Sequence, residues 1–433
     1  MDIVTITVTC FFGAIALTII GIPIAYALGF GGLIGILLCL GGAPLIKLGL
    51  TPFTVFHSLT WTSLPLFILM ACIISETRIS MDIFNAANNW LSRVPGGLVV
   101  AGVWSQAVMS ALDGSSGVSI LTTGKVALPQ MERLGYNKRF CMGALLTGGV
   151  LGPLIPPSIP FIVYALLTQQ SIGELFVAGI IPGILLAIML SVYAMVACFR
   201  HPELAPRPAA VSWKERLRSL TKVWSILIVM IGIVGGIYLG VMTATEAAGV
   251  AVLIVLLISV VFYRFRLANF VRAMSEAAML TAMIGIMVIV VTVLTFLVDA
   301  SGIVHSLSSL IASSGLSPWL LVITINFALL VLGTFMDGLA IMMLSVPLFV
   351  PLIVSVGFDP VWFGVLMTVN IEIALITPPD ALNLYLMSGA FHEPVAEIIR
   401  GIAPFLVVLV IFLGILIAFP QLSLWLPNMM SGR

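Results

Sequence analysis

The chain has 433 residues, 61% of them hydrophobic and 8% charged, with a mean hydropathy of +1.24. Soluble globular domains carry about 25% charged residues, so this composition excludes that class and indicates a polytopic helical membrane protein. A formal net charge of +1 without a basic run offers nothing to nucleic acid, and Cys10, Cys39, Cys72, Cys141 and Cys198, dispersed without CxxC spacing, read as inert thiols and not as a metal or redox centre.

About 20 apolar residues span a bilayer. The first apolar run starts at Ile3, with no basic n-region and no small-residue cleavage site, and reads as mature membrane helix. Spans are expected at about 3–26, with Pro23 kinking the chain near the end, at 27–46, and at 53–74 behind Pro52. From about 98 to 128 an apolar stretch is interrupted by DGSSG (113–117). Two arms too short to cross separately, joined at a Gly/Ser tip, predict a re-entrant helical hairpin. A basic turn with Arg133, Lys138 and Arg139 follows, then an apolar stretch of about 140–168 and a span of about 175–199.

Residues 200–222 form the long polar loop at the midpoint, and Arg200, Arg207, Lys214, Arg216, Arg218 and Lys222 supply six of the eighteen basic residues. Spans at about 223–241 and 247–263 lead to a further loop with Arg264, Arg266 and Arg272. Counting crossings puts this loop, the midpoint loop and the 133–139 turn on one side, which the positive-inside rule makes cytoplasmic.

The stretch GGVLGPLIPPS (148–158) and its echo ALITPPD (374–380) place proline pairs at membrane depth. A helical proline has no N–H and displaces the carbonyl four residues back. Pro156 and Pro157 would therefore free the C=O groups of Gly152 and Pro153, and Pro378 and Pro379 those of Ala374 and Leu375. Such backbone survives in a membrane only where protein or a water-filled cavity surrounds it, and a desolvated cation is one natural partner. Two helix breaks thus read as two ion or substrate sites.

The halves also repeat. Pro129, Gly135, Tyr136, Phe140, Pro156 and Pro157 match Pro351, Gly357, Phe358, Trp362, Pro378 and Pro379 at one offset of 222 residues, and GTFMDG (333–338) echoes the first tip. The turn 357–360 carries Asp359 and no basic residue, a charge asymmetry expected of a second copy inverted in the membrane. The expected fold is an all-α polytopic membrane protein with inverted repeats, two re-entrant helical hairpins and two discontinuous helices. The first repeat covers 1–199, with its hairpin at about 80–128 and broken helix at about 140–168. The second covers 223–433, with its hairpin at about 303–356 and broken helix at about 362–391.

LGPLIPPSIPFIVY (151–164), SIGELFVAGIIPG (171–183), TEAAGV (245–250), GTFMDGLAIMMLSVPLFVP (333–351), GFDPVWFG (357–364) and ITPPDALNL (376–384) closely resemble the large membrane subunit of TRAP transporters, the DctM family. The resemblance covers nearly the whole chain. It implies a sodium-driven uptake system for a small organic acid in a bacterial inner membrane, working by an elevator movement. It also implies two partners, a small four-helix membrane subunit and a periplasmic substrate-binding protein. By resemblance, one sodium site sets Asp113, Ser115 and Ser116 of the first tip against Gly152, Ile155 and Pro157, and a second sets Gly333 and Asp337 against Ala374, Thr377 and Asp380. Where the family usually reads SGSS and TPPVG, Asp113 and Asp380 introduce carboxylates. Each would attract a cation, repel an anionic solute in favour of a zwitterion, or turn away and pair locally.

Other residues keep competing readings. The prolines are packing kinks or site formers; Ser115 and Ser116 are small spacers or ligands. Asp337 is an intramembrane acid, functional by default unless a tip amide satisfies it. Ser158, Asn383 and Lys125 are candidates for the solute, with snorkelling to the interface the rival role for Lys125. Glu246 reads as structural and Glu372 stays unassigned. No HExxH or GxSxG arrangement supports an enzyme. The nearest rival is a stand-alone sodium or proton symporter of divalent anions that needs no binding protein.

Overall fold

The computed structural model describes residues 3–77, 79–206, 211–315, 317–378 and 381–431. Pro379 and Asp380 lie outside the described residues, and so does the side chain of Asp113. Helix is the regular structure throughout the described residues. That is the expected outcome in hydrocarbon, where each segment must satisfy its own N–H and C=O groups.

The chain opens with α1 (Ile3–Ile19) and α2 (Ile24–Leu40), followed by α3 (Leu45–Phe56) and α4 (Leu59–Ser75). Pro23 stands ahead of α2, where its missing N–H is no loss, so the first two helices are 17 residues each and shorter than the sequence suggests. Pro52 lies inside α3, and the turn toward α4 comes later, where the chain bends by 61° and Ser58 accepts from the Trp61 amide at 3.2 Å. Next come α5 (Ile79–Leu91), α6 (Gly97–Asp113) and α7 (Ser116–Arg133), the last two meeting at a tip of Gly114 and Ser115. After α8 (Lys138–Gly148) a 3-10 turn, Gly149–Leu154, leads to a break, and α9 (Ile159–Thr168) resumes at 40° to what precedes it.

The 29-residue α10 (Ile172–Arg200) leads to the midpoint, and α11 (Trp213–Tyr238), α12 (Ala244–Tyr263), the 35-residue α13 (Leu267–Ser301) and the short α14 (Ile303–Ser314) follow. Then α15 (Pro318–Gly333) and α16 (Gly338–Ser355) meet at a second tip, α17 (Pro360–Ala374) breaks before α18 (Leu382–Phe391), and α19 (Val395–Ala418) and α20 (Gln421–Ser431) finish the chain. The succession of α6 to α9, two helices joined at a tip and then a broken helix, recurs in α15 to α18. Contacts cross between the halves: α7 packs on α18 and α16 on α9. Among the described residues, five helices are long and apolar enough to cross a membrane, or up to seven spans if each bent pair counts once.

The midpoint differs from the sequence reading. Ser212 accepts from the Glu215 amide at 3.3 Å while Glu215 accepts from the Ser212 amide at 3.2 Å, a capping box that starts α11 at Trp213. Lys214, Arg216 and Arg218 therefore ride on a helix, which starts well before residue 222, the expected end of the polar loop. The Trp90 indole donates to the Arg216 carbonyl at 3.2 Å and ties α5 to α11.

The first arm of the first broken helix packs closely on α19. A Cβ on Gly143 of α8 would fall on the Gly401 carbonyl of α19, and one on Gly401 would fall on the Arg139 carbonyl. At the same end Lys138 lies 2.6 Å from both Glu132 and Glu393, and Arg139 pairs with Glu397. Away from that end, the Tyr164 hydroxyl of α9 donates to the Pro360 carbonyl at 2.7 Å. Overpacking a tight contact costs about 1–3 kcal/mol. Gly143→Ala and Gly401→Ala should each lower the melting temperature in detergent, whereas Gly414→Ala, with open space around it, should leave it unchanged.

Candidate functional site

Gly114 has a φ of +63°, the left-handed conformation that lets α6 end and α7 begin within two residues. A Cβ there would strike Ile159, so the tip rests on the start of α9. The hydroxyls of Ser110 and Ser119 join the two arms behind it. Ser116, in the first turn of α7, is buried, and its hydroxyl accepts from Asn383 Nδ2 of α18 at 3.0 Å. That bond reaches across 267 residues of sequence and docks the first tip on the second broken helix.

At the second tip, Asp337 caps α16 by accepting from the Leu339 and Ala340 amides, each at 3.1 Å. Gly333 packs so closely on Ala374 that a Cβ could not be accommodated without displacement. The carbonyls expected to be free are largely paired again. The Ile155 amide donates to Leu151 and Gly152 at 3.1 and 3.2 Å, the Thr377 amide to Ala374 at 3.1 Å, and the Asn383 amide to Leu375 at 3.1 Å. A carbonyl oxygen has two lone pairs, so each of these keeps one to offer.

Tips and breaks enclose a cavity of about 480 Å³, within the size range of small-molecule sites. Its walls are the first tip from Gly114 to Val118, Pro153, Ile159 and Pro160 at the first break, the second tip from Asp337 to Leu339, Thr368 and Glu372 of α17, and Leu382, Asn383 and Leu386 of α18. Facing them are Ile68, Ala71, Cys72 and Ser75 of α4 and Glu276, Leu280, Met283 and Ile284 of α13. Three carboxyl groups, from Glu276, Asp337 and Glu372, line this space, and among the described lining residues there is no Lys, Arg or His.

The residues singled out from sequence divide accordingly. Ser115, Ser116, Asp337 and Asn383 line the cavity. Gly152 lies under Ser110, and Ile155 leans on Gly183 of α10. Neither they nor Pro157, Gly333, Ala374 and Thr377 are among its described lining residues. Ser158 is fully buried and caps α9 by accepting from the Phe161 amide at 3.3 Å. Lys125 is exposed on α7 and outside the cavity. Glu246 accepts from the Thr243 amide at 2.8 Å in a capping box at the start of α12.

Glu372, left without a role by sequence reasoning, is the most buried of the three acids, 5% exposed, and its Oε2 has no hydrogen-bond partner. An acid within an otherwise apolar run, IEIALI, was the available signal. The Asn326–Asn370 pair was also missed; Asn370 Nδ2 donates to Asn326 Oδ1 at 2.7 Å and fastens α15 to α17.

The family described as "Tripartite ATP-independent periplasmic transporter, DctM component" matches residues 11–422. The C4-dicarboxylate TRAP transporter large permease protein DctM of Pseudomonas aeruginosa is 36% identical over 93% of this chain and 94% of its own. The sialic acid TRAP transporter large permease protein SiaM of Vibrio cholerae is 32% identical over 97% and 98%. In solved structures the fold is similar to that of the Alcanivorax borkumensis YdaH transporter, with a TM-score of 0.64 at 13% identity over 88% of this chain and 89% of that one.

A typical hydrogen bond contributes about 1 kcal/mol, more where a buried partner is left unsatisfied. Ser116→Ala should strand the buried Asn383 amide and lower the melting temperature, and it should speed proteolysis at the 113–117 tip. Asp337→Ala removes the cap of α16 and should cost about 1 kcal/mol in the same melting assay.

Proposed function

We propose, from the premise that this chain belongs to the DctM component family of tripartite ATP-independent periplasmic transporters, that it is the large subunit of a sodium-driven importer of a small organic acid. Membership makes it a multi-pass membrane transporter subunit and not an enzyme. The finer reading rests on the electrostatics of the cavity. A carboxylate solute entering alone would meet Glu372, Asp337 and Glu276 with no basic side chain among the described lining to offset them. Two like charges about 5 Å apart at an effective dielectric of about 20 repel by about 3 kcal/mol, more than a hundredfold in affinity. Cations bound at the tips reverse that sign, so solute binding becomes conditional on sodium. The hydroxyls of Ser115 and Ser116 and the half-used carbonyls behind them supply oxygen ligands of the kind hard cations prefer.

In this reading the two tip-and-break units are inverted copies that together form the moving core. The α4 and α13 wall belongs to the frame, and an elevator movement carries the cavity past it. The partners are a small four-helix membrane subunit and a periplasmic substrate-binding protein that delivers the solute. The chain resides in the bacterial inner membrane with the midpoint loop in the cytoplasm. The solutes named for the two relatives, C4-dicarboxylate and sialic acid, are both organic acids, which supports the solute class.

Proteoliposomes holding this chain with its small membrane subunit should accumulate solute only when an inward sodium gradient and the binding protein are both present. Equal uptake with potassium in place of sodium would remove the coupling. Uptake without the binding protein would favour a stand-alone divalent-anion symporter.

A further inference from the structure

Glu372 is a carboxyl group 5% exposed on the apolar helix α17, with one oxygen unpartnered and no basic side chain among the described residues of the cavity it lines. An uncompensated buried charge costs several kcal/mol, so such groups are found protonated, paired or bound to a cation. The other two acids are differently placed. Asp337 is exposed and already holds two amides, and Glu276 is exposed on α13.

The surroundings of Glu372 are rich in oxygen. The Ser116 hydroxyl lies beside it and accepts from Asn383 Nδ2 at 3.0 Å. Asn383 thereby turns its Oδ1 toward Gly117, where a Cβ would come within 3.2 Å of it. Carboxylate and hydroxyl oxygens thus meet where α17 faces the first tip, with the Asn383 side chain of α18 held against the same hydroxyl.

We propose that Glu372 holds a monovalent inorganic cation at this seam, which joins the first tip, through Ser116, to the broken helix of the second half. The bound ion neutralises the buried carboxylate and clips the first tip to the second broken helix. The site extends the sodium-coupled reading and rests on it. It places one coupling ion where it bridges the two halves, so cation binding and closure of the first tip become a single event.

Binding of radioactive sodium to the purified chain, measured without any solute, tests this. Glu372→Gln should bind one sodium fewer per chain than the wild type. Glu372→Asp, which keeps the charge but withdraws the oxygens by one methylene, should regain the ion with about tenfold weaker affinity. An equal sodium count in wild type and Glu372→Gln overturns the Glu372 site while leaving sodium coupling intact, whereas no sodium binding by the wild type removes both. Should Glu372→Gln fail to fold, Glu372→Asp decides alone: sodium binding with unaltered affinity overturns the site.

Discussion

A proline pair inside a membrane helix removes two main-chain donors where no water can replace them, and the rest of this structure is arranged around that deficit. At 155–158 and again after Ala374 the chain leaves the helix, and its carbonyls are met by whatever packs beside them. Part of the answer is local: the amides of Ile155, Thr377 and Asn383 turn back on Gly152, Ala374 and Leu375. Around them the chain is packed tightly enough that side chains are excluded at two points. Gly152 under Ser110 and Gly333 against Ala374 are the two close approaches, and neither position has room for a side chain.

The contacts between halves turn two local solutions into one site. With α7 on α18 and α16 on α9, each tip leans on the broken helix of the other half as well as its own. The Ser116–Asn383 bond is the most direct of these links, and it lies beside Glu372, the deeply buried acid among the described residues. A cavity assembled in this way changes shape when either half moves, so under the proposed function an ion bound at one tip would be felt at the other.

Much of this was legible in the sequence, for reasons that can be traced to particular residues. Pro156, Pro157 and Pro378 mark breaks because proline cannot serve as a helical donor, and Gly114 with its serine neighbours marks a tip because few residues tolerate that turn. What stayed hidden was tertiary. Nothing in the order of residues says that Asn383 meets Ser116, or that Lys125 points away while Glu372 points in. Ser158 offered a hydroxyl, but the amide of Phe161 takes it for a cap. The start of α11 was open to a sharper reading, since the S-x-x-E spacing at 212–215 is a helix start whatever the charge of its neighbours.

Hydrogen–deuterium exchange of the purified chain during a sodium titration, with no solute present, addresses the claim that both tips close on one cation-filled cavity. Amides at 114–118 and 337–341 should gain protection together, with a single midpoint in sodium concentration. Protection of one tip without the other, or separate midpoints, would contradict it.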